Sequence, residues 1–275
     1  MYEFHSDKDR YFDMQYRVTK EHILPFLQQY APGKKWNRVL EIGCAEAGVL
    51  KAFLEEGAFC TGIELSPSRI TAAEKYHAQA LKEGRIEFVN RNITDIDPEH
   101  DLGGKYDLVI LKDVIEHIPG QLEFMSHLPA FLEDGGMIFF GFPPWQMPYG
   151  GHQQIAKNKW LNKLPYYHLL PAPLYKGILK LAGESPLTVE ELLEIKETGI
   201  SIERFEKCLR LNGLTVIAKR PYLFNPIYSY KFGVKPRVQN EFVSKLPVLR
   251  NFVTSAMYYL VKSRSAPKSP KGDLK

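Results

Sequence analysis

Arg38 to Leu50 reads RVLEIGCAEAGVL, and the order of residue types within it decides the fold class. Val39, Leu40 and Ile42 make a short apolar β-type run, broken by the carboxylate of Glu41. Small residues follow, from Gly43 through Cys44, Ala45 and Ala47 to Gly48, and then Val49, Leu50, Phe53 and Leu54 recur at helical spacing. A strand, a tight small-residue turn and a helix in that order bring backbone N–H groups and a helix N-terminus up to a polar ligand. The turn is expected to be a nucleotide-type site in an α/β protein.

Charge narrows the choice of ligand. Gly43-Cys44-Ala45-Glu46-Ala47-Gly48 is one glycine short of the dinucleotide pattern G-x-G-x-x-G, and Glu64 follows at about the 20-residue spacing of a ribose-binding acid. A pyrophosphate at this turn would face both Glu41 and Glu46. A ligand with a cationic amino group and no phosphate suits a carboxylate at the strand end far better. In these features the segment resembles motif I of the class I S-adenosylmethionine-dependent methyltransferases, V-L-[DE]-x-G-C-G-x-G, with Ala45 and Ala47 where glycines are usual.

Tyr106 to Lys112, YDLVILK, is an uninterrupted apolar run of the kind buried on both faces of a parallel sheet. It leads into Asp113-Val114-Ile115-Glu116-His117-Ile118-Pro119, which is similar to motif IV, D-x-V-x-x-x-D/E-V-I-E-H-V, of the quinone-biosynthesis O-methyltransferases. The resemblance covers about the first half of the chain. It implies a Rossmann-like α/β fold: a seven-stranded, mostly parallel sheet with an antiparallel last strand, flanked by helices, with an insertion after the fifth strand. It also implies S-adenosyl-L-methionine as cofactor, held by Glu41, Gly43, Cys44, Ala45, Gly48, Glu64, Leu65, Asn92 and Ile93. Lys112 and Asp113 are then expected to flank the methionine part. The implied activity is methyl transfer to a small or amphipathic acceptor, most readily at oxygen.

Other readings stay open at single residues. Glu64 could cap the helix that Pro67 opens, and Asn92 could simply form its turn. At the level of function, the rivals are a nicotinamide-dependent oxidoreductase and a non-catalytic S-adenosylmethionine-binding module. For an oxygen acceptor, a base must take the hydroxyl proton, and His has an ordinary pKa near ~6.5. His152 in Gly150-Gly151-His152-Gln153-Gln154 and His117 in the motif IV turn are the two candidate catalytic residues. Linear spacing shows no cluster of metal ligands, so no metal is expected.

The chain divides into an N-terminal helical cap (1–36), a cofactor-binding core (37–142), a lid or substrate insertion (143–187), the C-terminal part of the domain (188–262) and a disordered tail (263–275). In the cap, Pro25 must kink or divide the amphipathic stretch Tyr11 to Tyr30. That stretch is expected to pack on the sheet, with Tyr11, Tyr16 and Arg17 as side chains that could reach the pocket. Helices are expected over Ser68 to Leu81, Gln121 to Leu132, Thr188 to Glu197, opened by a capping box at Thr188, and Ser201 to Leu211. Leu214 to Leu223 and Asn251 to Lys262 read as the last strands. In the insertion, Tyr166 to Leu181 has an apolar, aromatic face beside Lys176 and Lys180, which suits a lid, a homodimer contact or a peripheral membrane contact.

The 275 residues, 44% of them apolar, are enough for a full core. A net charge of +4 makes no case by itself for a nucleic-acid partner, and the resemblance implies a small-molecule acceptor. The first ten residues are too polar for a secretory signal, and no apolar run nears the ~18 residues of a membrane span. Cys44, Cys60 and Cys208 form no C-x-x-C pair. A cytoplasmic setting follows.

Overall fold

Leu108, Val109, Ile110 and Leu111 are fully buried, because helices cover both faces of the strand that carries them. The computed structural model describes residues 7–263. Its sheet has the order β3-β2-β1-β4-β5-β8-β6-β7. The strands are β1 (Arg38–Ile42), β2 (Phe59–Ile63), β3 (Ile86–Val89), β4 (Tyr106–Lys112), β5 (Leu132–Phe142), β6 (Leu214–Phe224), β7 (Arg237–Val238) and β8 (Ala256–Ser263). The first five run parallel, and β8 is antiparallel to both β5 and β6. The eighth strand beyond the expected seven is β7, a two-residue pairing on the edge of β6. Chain order reverses between β1 and β4, so the crevice at their carboxyl ends is where such a sheet binds ligands.

Pro25 does divide the N-terminal stretch. Helix Lys8–Val18 passes into a π-helical turn, Thr19–Ile23, and a second helix, Leu24–Tyr30, carries Pro25 in its first turn, where a missing N–H costs no hydrogen bond. Phe26, Leu27, Val18 and Ile23 bury themselves against one face of the sheet, with Phe139 and Tyr258. The opposite face packs Leu40, Val109, Phe140, Phe142, Phe205 and Tyr259.

Several expected boundaries move, each for a local reason. Ser68 to Leu81 is broken at His77 into helices Pro67–Tyr76 and Ala78–Lys82. Gln121 to Leu132 is helical only to His127, then a 3-10 turn, and β5 begins at Leu132. The helix expected from Thr188 starts at Pro186, because the Ser185 hydroxyl accepts the Thr188 N–H at 3.2 Å. Asn251 to Val253 is helical rather than extended, within Leu249–Val253. Buried Asn251 accepts the Ile202 N–H at 2.8 Å and donates to Glu203 at 2.7 Å, tying this turn to the start of helix Ile202–Leu211. Ser263 closes β8, and the tail expected to be disordered otherwise lies outside the described residues.

After β5 the chain leaves the sheet. Ala156, Leu161, Tyr167, Tyr175, Leu179, Val189 and Leu192 form an apolar cluster of their own, which continues from the insertion into helix Pro186–Thr198. Trp145, His168, Gln153 and Lys196 pin it to the core. The His168 ring accepts from Gln153 Nε2 at one nitrogen, 2.8 Å, and donates to the Trp145 carbonyl from the other, 2.8 Å, while Lys196 caps the His168 carbonyl. Among the described residues no helix is long and apolar enough to cross a membrane.

Candidate active site

The turn after β1 keeps the conformation that glycines would favour. Gly43, Ala45 and Ala47 all have positive φ, 69°, 49° and 60°. An alanine held there costs of the order of 1 kcal/mol. Neighbours hold it: the Glu64 carboxylate accepts the Ala45 N–H at 3.0 Å and the Ser66 N–H at 2.9 Å, and buried His77 donates to the Ala47 carbonyl at 3.0 Å. At Gly43 a Cβ would fall 2.6 Å from Val114. At Gly48 it would fall 2.4 Å from the Phe12 carbonyl oxygen, because helix Lys8–Val18 crosses here with its backbone in contact. Gly48→Ala is therefore expected to destabilise the protein by about 2 kcal/mol, as overpacking against backbone does, and a urea midpoint unchanged from wild type would contradict that contact.

Glu41, Gly43, Cys44, Ala45, Gly48, Lys112 and Asp113 line one small cavity at the carboxyl ends of β1 and β4, about 60 Å³ in volume. Its other walls, Tyr11, Phe12 and Gln15, come from the N-terminal helix, and Arg69 from the helix after β2. Tyr11 thus reaches the pocket, whereas Tyr16 turns away to Glu55 at 2.9 Å and Arg17 pairs with Glu21. Two acceptor oxygens in this wall, Gln15 Oε1 and Glu41 Oε2, are buried without a hydrogen-bond partner. Gln15 Nε2 is occupied, donating to the Tyr11 hydroxyl at 2.6 Å. Burial pushes the Glu41 carboxyl well above its ordinary value; the Lys112 charge opposes this and Glu64 and Asp113 add to it. Burial works against the Lys112 ammonium, but Asp113 at 2.5 Å outweighs it and raises the pKa. Asp113 itself is held in the left-handed region, φ 56°.

The remaining expected cofactor residues stand outside that cavity. Glu64 lies behind the turn it supports, Leu65 is 67% exposed beside it, and Ile93 is buried in a 3-10 turn. Asn92 caps that turn, accepting the Thr94 N–H at 3.2 Å. Cys44 is buried with its thiol pushed up by burial, so it packs and does not react.

His117 and His152 meet. The turn Ile115–His117 follows β4, and His152, at φ 53°, follows Gly150-Gly151 after neighbouring β5; the rings lie 4.8 Å apart, edge to face. Glu116 is buried beside them, neither carboxylate oxygen having a hydrogen-bond partner. Ligand atoms of Glu116, His117 and His152 lie within 4.8 Å of one another. The expectation of no ligand cluster read spacing along one segment; the fold draws this one from two. Sequence reasoning also missed Gln15, which faces the cavity from the N-terminal helix, and His77 and His168, whose partners are distant in sequence and leave no local pattern.

Residues 13–174 match the family described as a methyltransferase domain. The ubiquinone biosynthesis O-methyltransferase of Vibrio parahaemolyticus is 27% identical over 118 residues, 42% of this chain and 48% of that protein. That of Histophilus somni is 26% identical over 144 residues, 49% of this chain and 58% of the relative. The chain thus spans about half the length of the curated relatives it matches. Among solved structures, the PH0226 protein of Pyrococcus horikoshii superposes with a TM-score of 0.57 at 15% identity, covering 96% of this chain and all of that one. The plantazolicin methyltransferase BpumL, in complex with SAH, does so at 0.51 and 14% identity, covering 95% and 87%. Motif turn, sheet order and matched length agree, and the chain belongs to the methyltransferase-domain family.

Proposed function

We propose that the protein transfers a methyl group from S-adenosyl-L-methionine to an oxygen of a small or amphipathic acceptor. The observation that carries this reading is the pair of partnerless acceptor oxygens, Gln15 Oε1 and Glu41 Oε2, on the wall of the motif I cavity. Buried acceptors of that kind call for a donor, and a cationic ammonium group supplies one while a pyrophosphate does not. Glu41 and Gln15 would hold the amino group and Lys112 the carboxylate of the methionine part. Glu64 has lone pairs left for ribose hydroxyls, and Leu65, Asn92 and Ile93 would border the base. The cofactor, when bound, supplies a methyl group on positively charged sulfur. Tyr11, Phe12 and Gln15 line the cavity, so helix Lys8–Val18 would border the bound cofactor.

His117 and His152 stand next along the crevice and would receive the acceptor's hydroxyl, with the 143–187 insertion as the wall of that pocket. On the insertion, Trp160 is 86% and Leu181 91% exposed, flanked by Lys159 and Lys180, which supports a peripheral membrane or homodimer contact. Three buried, unpaired cysteines support a cytoplasmic setting. Calorimetric titration with S-adenosylmethionine, S-adenosylhomocysteine and NAD tests the cofactor: heat from the first two and none from NAD is expected. Binding of NAD alone would overturn the reading.

A further inference from the structure

We propose that the acceptor carries a carboxylate in addition to the hydroxyl that is methylated, and that Lys231, with the hydroxyl of Tyr228, receives that carboxylate. Both side chains belong to one short helix, Tyr228–Phe232, between β6 and β7. Three residues apart, they share its face. Asn225 opens the turn by accepting the Ile227 N–H at 3.2 Å, and Gly233 ends it at φ 70°. The Arg17 guanidinium lies over the Tyr230 ring at 4.5 Å, so the N-terminal helix holds the turn in place. Lys231 Nζ then stands 6.0 Å from the centre of the Tyr11 ring, a wall of the motif I cavity.

Charge points the same way. Burial works against the Asp113 carboxylate, but Lys112, Lys231 and His152 together hold its pKa below the ordinary value. One carboxylate thus faces two ammonium groups, and Lys112 has taken it at 2.5 Å. Lys231 is half-buried, and its ammonium has no hydrogen bond or salt bridge among the described residues. Burial lowers its pKa, Asp113 opposing this and Lys112 adding to it. The half-buried Tyr228 hydroxyl has no hydrogen-bond partner there either. Burial, with Asp113 and Tyr149 adding to it, pushes its pKa up to about 12, so it remains a donor. An unpaired ammonium and an unpaired hydroxyl on one face are the complement of an anion. A carboxylate fits better than a phosphate, which would bring up to twice the charge towards Asp113. Tyr11, Tyr149 and Tyr228 come from the cap, the insertion and this turn, and their rings suit an aromatic hydroxy acid.

This inference names the acceptor class of the proposed methyl transfer and rests on that reading for its role. Carboxylate binding is measurable without any transfer, so the two fail separately. The protein, with and without S-adenosylhomocysteine, is titrated with 4-hydroxyphenylacetate and with its neutral match 4-hydroxyphenylacetamide, following the ligand by nuclear magnetic resonance. Wild type is expected to bind the carboxylate at least about fivefold more tightly than the amide, Lys231→Met to bind the two about equally, and Lys231→Arg to keep the preference. Tyr228→Phe should lower the preference by about twofold or more. Thermal unfolding and S-adenosylhomocysteine titration check that each variant keeps its fold and cofactor site. A purely structural role for Lys231 would weaken both probes alike. Equal affinity for the two probes in wild type, no binding of either at millimolar concentration, or a preference that survives in folded Lys231→Met overturns the proposal.

Discussion

Glu41→Gln is expected to weaken S-adenosylmethionine binding by at least about tenfold while stabilising the free protein at neutral pH, by about 1–3 kcal/mol. Both effects come from one atom. Glu41 Oε2 is buried without a partner, so its charge is a cost to the folded chain and an attraction for an ammonium group. The direction with pH follows. The folded carboxyl titrates above its ordinary value of 4.5, so its protonated form is favoured by folding. That contribution is fully present below pH 4.5 and is lost as pH rises through the folded value. Wild type should thus lose stability relative to the glutamine variant as pH rises above 4.5, the two sharing every other titrating group. Chemical denaturation from pH 4 to 8, with calorimetric titration at pH 7, checks both. A variant that binds the cofactor as wild type does would remove Glu41 from the site.

What could be read from the sequence was what neighbours along the chain decide. The β1 turn announces itself because its apolar run, small residues and helical stripe are contiguous, and β4 because four buried residues sit in a row. Pro25 told truly for the same reason: its effect on the helix is local. Propensity misled at Asn251 to Val253, where β-branched and aromatic residues suggested a strand; the Asn251 amide instead serves the N-terminus of another helix. Glu64 looked like a ligand and in the structure also holds the Ala45 and Ser66 N–H groups that shape the turn. The cluster of Glu116, His117 and His152 could not be seen at all in linear spacing, since adjacency of β4 and β5 creates it.

His168 shows how the insertion and the site are joined, and acid should part them. Lowering the pH from 6.5 to 4 is expected to cost the protein about 3 kcal/mol through this one residue. Burial pushes the His168 imidazole down to about 4, the Trp145 carbonyl opposing this and the Lys196 charge adding to it. Both ring nitrogens are engaged in a way that only the neutral ring permits, one accepting from Gln153 and the other donating to Trp145. A depressed folded pKa on a base means that the unfolded chain takes up its proton first. The contribution is therefore present above pH 6.5 and is lost as pH falls towards 4. Release of His168 frees Gln153 and the adjoining Gly151-His152 turn, so the half of the active site contributed by the insertion loses its support before the sheet unfolds. Urea denaturation at pH 7, 6, 5 and 4 measures the slope, and His168→Asn should flatten it whatever that variant's absolute stability. An equal slope in the variant would assign the acid sensitivity to other groups and leave His168 as packing alone.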